Sequence, residues 1–172
     1  MSEPASPMPS EPGLLEARLM WARGDLVGAR SVVEALLARD AADAAAWLLK
    51  GQLFLQDRDE EGALDANRKA VAAAPRSSEA WNALARCLQA QGDLNQALEA
   101  ARRAQACLDE GQNFRETGPV YLTLVWCLRD MRLFKEALEA AEEGLARSPD
   151  AILAQWASVV EEEYAESQKE EC

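Results

Sequence analysis

Apolar residues recur along the chain at helical spacing, three or four apart, with charged residues between them. The clearest stretch runs from Trp47 to Pro75. It reads Trp47, Gly51 and Phe54, then Asp59-Glu60-Glu61-Gly62-Ala63, then Ala70 and Pro75. The same spacing returns 34 residues later as Trp81, Leu84, Ala85 and Leu88, then Gly92-Asp93, Ala97 and Ala104. Each unit predicts two helices joined by a tight turn. One such pair cannot bury its own apolar faces, so stacked copies are expected.

This register divides the chain. Residues 1–10, with Pro4, Pro7 and Pro9, read as a disordered tail. Repeat 1 spans 11–43, with Ser10 as a candidate cap, Pro12 in the first turn, and Leu15 and Leu19 setting the helical period. It is degenerate, because Gly13 stands where the next repeats carry tryptophan, but Ala29 keeps the spacing to Ala63 and Ala97. Repeat 2 spans 44–77 and repeat 3 spans 78–117, closed by a six-residue insertion around Asn113 that makes the step from Ala97 to Ala137 40 residues long. Thr117 is the expected cap of the next helix. Repeat 4, 118–151, carries Tyr121, Leu124, Leu128, Phe134, Ala137 and Gly144. Its turn, Asp130-Met131-Arg132-Leu133, lacks glycine, which predicts tighter or longer helix ends. Leu153, Trp156, Val160 and Tyr164 form an apolar stripe on a capping helix over 152–166, and 167–172 should fray.

Composition narrows the chemistry. Hydrophobic residues make up 49% but aromatics only 6%, which suits close-packed alanine- and leucine-rich helices and an all-α fold. The net charge of −12 would repel nucleic acid and anionic membranes. With no histidine, the usual general base and the commonest transition-metal ligand are missing. The four cysteines form no C-x-x-C pair, and Cys87 and Cys127 each precede a core leucine, so they read as small core residues. No cofactor, metal or catalytic residue is expected. The carboxylate clusters Asp59-Glu60-Glu61 and Glu161-Glu162-Glu163 read as solvated. With no apolar run of membrane-spanning length and no signal peptide, the expected location is cytoplasmic.

These motifs resemble the tetratricopeptide repeat family over roughly Gly13 to Ala151. The resemblance implies a right-handed superhelical solenoid of antiparallel helix pairs, whose inner helices line a concave groove for peptides or helices of other proteins. It implies an adaptor or scaffold, with a small chaperone for a secretion or assembly client as the alternative, rather than an enzyme. The clamp that family members use on heat-shock protein C-termini is not recognisable here, because Leu48, Gln52, Glu79 and Ala83 occupy the comparable places.

The residues themselves indicate where a groove would lie. Trp47, Gly51 and Phe54 share the helical face that meets the neighbouring helix, so Leu48, Gln52 and Leu55, one position on, turn away from it. The same offset selects Leu14, Arg18 and Trp21 in repeat 1, Asn82, Arg86 and Gln89 in repeat 3, and Leu122, Trp126 and Arg129 in repeat 4. This strip is apolar and partly basic on an acidic chain. It fits an apolar or amphipathic segment of another protein, with acidic residues to meet Arg86 and Arg129. Self-pairing of those arginines with Glu79 and Asp130 is the competing reading. The sequence leaves the oligomeric state open.

Overall fold

The structure, a computed structural model, describes residues 11–111 and 116–170. The expectations for the N-terminal tail, for Ser10 and for the loop around Asn113 lie outside the described residues. Nine helices and no strand occur among those residues: α1 (Glu11–Ala22), α2 (Leu26–Arg39), α3 (Ala44–Gln56), α4 (Glu60–Ala73), α5 (Ser78–Ala90), α6 (Leu94–Gly111), α7 (Thr117–Asp130), α8 (Phe134–Arg147) and α9 (Ala151–Glu170). The chain divides into two compact units between Ala74 and Pro75, the first holding α1 to α4 and the second α5 to α9. Each is built from helix pairs.

Four turns close those pairs, and they share one geometry. In each, three residues separate the helices, and the middle one, Gly24, Arg58, Gly92 or Arg132, has φ between 60° and 83°. The next residue donates its N–H to a carbonyl five positions back, as in Asp25 to Met20 at 2.9 Å and Leu133 to Leu128 at 2.9 Å. This left-handed C-terminal cap satisfies carbonyls that the helix leaves open. The fourth turn is therefore neither tighter nor longer than the others. Arg132 adopts the conformation that glycine adopts in α1–α2 and α5–α6, at a steric cost of roughly 1 kcal/mol.

In three of the turns the last residue then caps the following helix. Gly28 N–H donates to Asp25 at 2.8 Å, Gly62 N–H to Asp59 at 2.8 Å and Gln96 N–H to Asp93 at 3.2 Å. Each such cap contributes about 1 kcal/mol. In the fourth pair Leu133 holds that place, and α8 has no side-chain cap.

Unit 1 is packed around Ala17, Ala29, Val33, Leu49 and Leu53. Leu14 and Ala17 face this core, whereas Leu15 and Leu19 stand exposed, so the buried stripe of α1 is one position off the one expected. The glycine at position 13 fits because Leu36 fills the space, its Cδ2 2.9 Å from where a β-carbon would lie. Trp47 and its counterpart Trp81 are half-buried. Their indole N–H groups donate to the carbonyls of Ala41 at 2.9 Å and Pro75 at 2.8 Å, which ties each inner helix to the segment that enters it. The indole needs that partner, so the ring sits at the edge.

Unit 2 is centred on Tyr121, Val125, Leu153 and Val160, all fully buried. A β-carbon at Gly144 would lie 2.7 Å from Tyr121 Cβ and from Leu153 Cδ2, so this glycine lets α7 and α9 close onto α8. Tyr121 O–H donates to Glu143 at 2.8 Å, Gln105 Nε2 donates to both, and Arg147 pairs with Glu143 at 2.8 Å. Burial pushes the Tyr121 phenol up to about 12. Thr117 opens α7 as its first, buried residue and does not cap it; Glu116 precedes it with no side-chain cap bond. Helix α9 continues to Glu170, past the fraying expected from 167, with Ser167 Oγ donating to the Tyr164 carbonyl at 2.8 Å.

Candidate partner-binding strip

The inner helices are α1 and α3 in unit 1, and α5, α7 and α9 in unit 2. On α1 and α3 the strip is partly open. Arg18 and Gln52 are exposed, and Leu55 keeps 44% of its surface. Trp21 is half-buried against the unit 1 core. Leu48 departs from expectation: it is only 5% exposed and belongs to the interior, because the buried arc of α3 extends over Leu48 and Leu49.

On α5, Arg86 is exposed and forms no ion pair with Glu79 or any other described residue. Asn82 is only 7% exposed, and its Oδ1 has no hydrogen-bond partner. Gln89 is half-buried and donates to Asp130 at 2.8 Å.

On α7 the strip meets the chain's own last helix. Trp126 and Trp156 stack edge to face with centroids 5.6 Å apart, while Trp126 Nε1 is buried and unpartnered. Arg129 forks onto Glu163, with Nε 2.7 Å from one carboxylate oxygen and NH2 on the other, and its guanidinium lies 5.5 Å over Trp156. It also stands 3.5 Å from Asp130. The hydrogen bond from Arg129 holds the Glu163 carboxyl below its ordinary value and raises the guanidinium in return. Arg129 is thus largely satisfied within the chain, as is Glu163, which the sequence placed on a solvated end. Leu122 is half-buried beside them. Trp156 spaced three residues after Leu153 was the one sequence signal for this cover.

Of the other carboxylates weighed for acid–base work, Asp59 caps α4. Cys87 and Cys127 are buried, and burial pushes the Cys127 thiol up to about 12, which keeps it protonated and unreactive. Among the described residues no helix is long and apolar enough to cross a membrane.

The 34-residue spacing, the paired helices and the common left-handed turns coincide with a family match. One family model of the tetratricopeptide repeat covers residues 14–78 and another covers 66–99, together half of the chain. The chain belongs to the tetratricopeptide repeat family. A search of curated proteins by sequence gives no match. Solved tetratricopeptide-like structures share the fold. PilF of Pseudomonas aeruginosa is 18% identical with a TM-score of 0.78, covering 92% of this chain and 72% of its own. MamA is 21% identical with a TM-score of 0.70, covering 87% and 84%. YrrB, described as a tetratricopeptide protein with an unusual peptide-binding site, is 21% identical with a TM-score of 0.68, covering 93% and 78%. As a tetratricopeptide repeat protein, the chain is a protein-binding scaffold in general terms.

Proposed function

We propose that this chain is a non-catalytic adaptor that binds a peptide or helix of a partner protein on its inner-helix strip. One observation carries the reading. Among the described residues three buried side-chain atoms lack a hydrogen-bond partner, and two of them, Asn82 Oδ1 and Trp126 Nε1, belong to strip residues of unit 2. Buried polar groups are normally paired, and an unpartnered acceptor on one inner helix with an unpartnered donor on the next suits the N–H and C=O of a bound peptide. Exposed Arg86 on the same helix as Asn82 would meet an acidic side chain. Arg18, Gln52 and Leu55 give unit 1 a comparable open set. YrrB, with its peptide-binding site, supports this by analogy. A cytoplasmic setting fits the absence of a disulfide at Cys87, Cys107 and Cys127. A client-holding chaperone would use the same strip, and no feature of the strip favours it.

The test is capture from a lysate of the source cells on wild type and on Asn82→Ala/Arg86→Ala, with matched helicity and Tm. A protein retained by the wild type alone is the expected result. The same protein held equally by both baits overturns the assignment.

A further inference from the structure

The α7–α8 turn and the C-terminal half of α9 enclose an open pocket of about 360 Å³, lined by Arg132, Lys135, Tyr164, Ser167 and Gln168 among others. Its two cations stand out on a chain of net charge −12. Neither forms a salt bridge with any described residue. Each is instead held on an aromatic face: Arg132 5.7 Å over Phe134, and Lys135 5.9 Å over Tyr164, with the two rings 6.2 Å apart. Cation–π contact positions a charge without neutralising it, so both remain available to an anion. Two of the carboxylates nearby are already engaged, while Glu166 lines the adjoining cavity with Arg132. Glu136, which also lines the pocket, stands 3.6 Å from Arg102, and Glu163 is taken by Arg129.

We propose that this pocket binds a carboxylate-bearing segment of an acidic peptide. Arg132 and Lys135 meet the carboxylates, Ser167 and Gln168 offer hydrogen bonds, and the Phe134 and Tyr164 rings receive the aliphatic stems. Two further facts agree with the cations and the cavity. Arg132 occupies the left-handed turn position that Gly24, Arg58 and Gly92 hold in the sister turns, which fixes where its side chain leaves the backbone. Where Asp25, Asp59 and Asp93 cap their helices, Leu133 leaves α8 without a side-chain cap, Glu136 being the one acidic residue of its first turn, and the first residues of α8 line the pocket. A peptide carries several carboxylates on a flexible backbone, which matches a wide, open, polar and aromatic recess better than a single compact oxyanion does. This site is independent of the proposed strip.

The experiment uses the full chain and a fluorescein-labelled, N-acetylated tetraglutamate peptide, followed by anisotropy at low salt. Wild type should bind it, and Arg132→Gly/Lys135→Gln should bind at least tenfold more weakly with an unreduced Tm, because glycine suits that turn. Leu133→Asp, which supplies the cap within the chain, should also weaken binding, while Asn82→Ala/Arg86→Ala should leave it unchanged. Equal affinity of wild type and Arg132→Gly/Lys135→Gln overturns the proposal. Inorganic phosphate displacing the peptide at equal or lower concentration overturns the peptide assignment.

Discussion

The strip of unit 1 and the strip of unit 2 use the same register positions, yet they stand in different states. The Arg18 and Gln52 side chains are exposed with no hydrogen bond or ion pair to a described residue, and Leu55 is nearly half open. At the equivalent places in repeat 4, Trp126 is stacked by Trp156 and Arg129 is forked onto Glu163. The difference comes from α9. It brings an indole and a carboxylate onto α7, so a position that is open in one repeat is partly occupied by the chain itself in another, the Trp126 ring stacked while its N–H stays unpartnered. Register alone therefore selects candidates. The side chains of the next inner helix decide which remain open.

The largest effect on this comparison should come from Gly144→Ala. The added methyl would meet Tyr121 Cβ, which cannot swing aside, and so would part α7, α8 and α9. We expect a loss of about 2–3 kcal/mol in chemical denaturation, within the range for overpacked cores, together with altered tryptophan fluorescence from the Trp126–Trp156 pair.

A smaller effect attends the fork itself. Glu163→Gln should cost under about 1 kcal/mol at neutral pH, since the pair is partly solvated. Its pH dependence carries the sign. Arg129 depresses the Glu163 pKa in the fold, so the stabilisation is present above the unfolded carboxyl value and is lost as pH falls through the folded one. Glu163→Gln should show a flatter loss of stability on acidification below about pH 4.5. Glu116 behaves oppositely. Burial, aided by the Glu79 charge, raises its carboxyl, so its folded form is favoured at low pH and is penalised as pH rises through the folded value. Glu116→Gln should therefore raise Tm at pH 7 and leave it unchanged at acidic pH.

The smallest effects separate the open residues from the turns. Arg18→Ala and Gln52→Ala should alter stability by no more than about 0.5 kcal/mol, as exposed, unpaired side chains do. Arg58→Gly should stabilise by under about 1 kcal/mol, the relief of a left-handed arginine partly offset by the freer unfolded chain. A clear loss in Arg58→Gly would mean that its side chain makes a contact the turn geometry hides.

Much of the fold was legible because its causes are local and periodic. The alanines 34 residues apart set the register of the first three pairs, and Gly92-Asp93 marked a tight turn that the structure has. What escaped depended on contacts between helices. Arg132 in a left-handed turn contradicts the reading that a missing glycine changes the turn, because the hydrogen bonds from Arg132 and Leu133 outweigh the strain on one residue. Leu48, Leu15 and Leu19 were misplaced because a one-residue rotation of an alanine- and leucine-rich helix alters the apolar pattern very little. Glu163 looked solvated from its acidic neighbours, and only the packing of α9 on α7 brings it to Arg129.

The most direct test of the strip is nuclear magnetic resonance of the 15N-labelled full chain during titration with the captured partner. Binding should shift the Trp126 indole N–H and the Asn82 side-chain amide together and saturably, because both atoms gain hydrogen-bond partners. If both resonances stay fixed while signals elsewhere move with the same saturation, the partner binds another face and the strip is not its site.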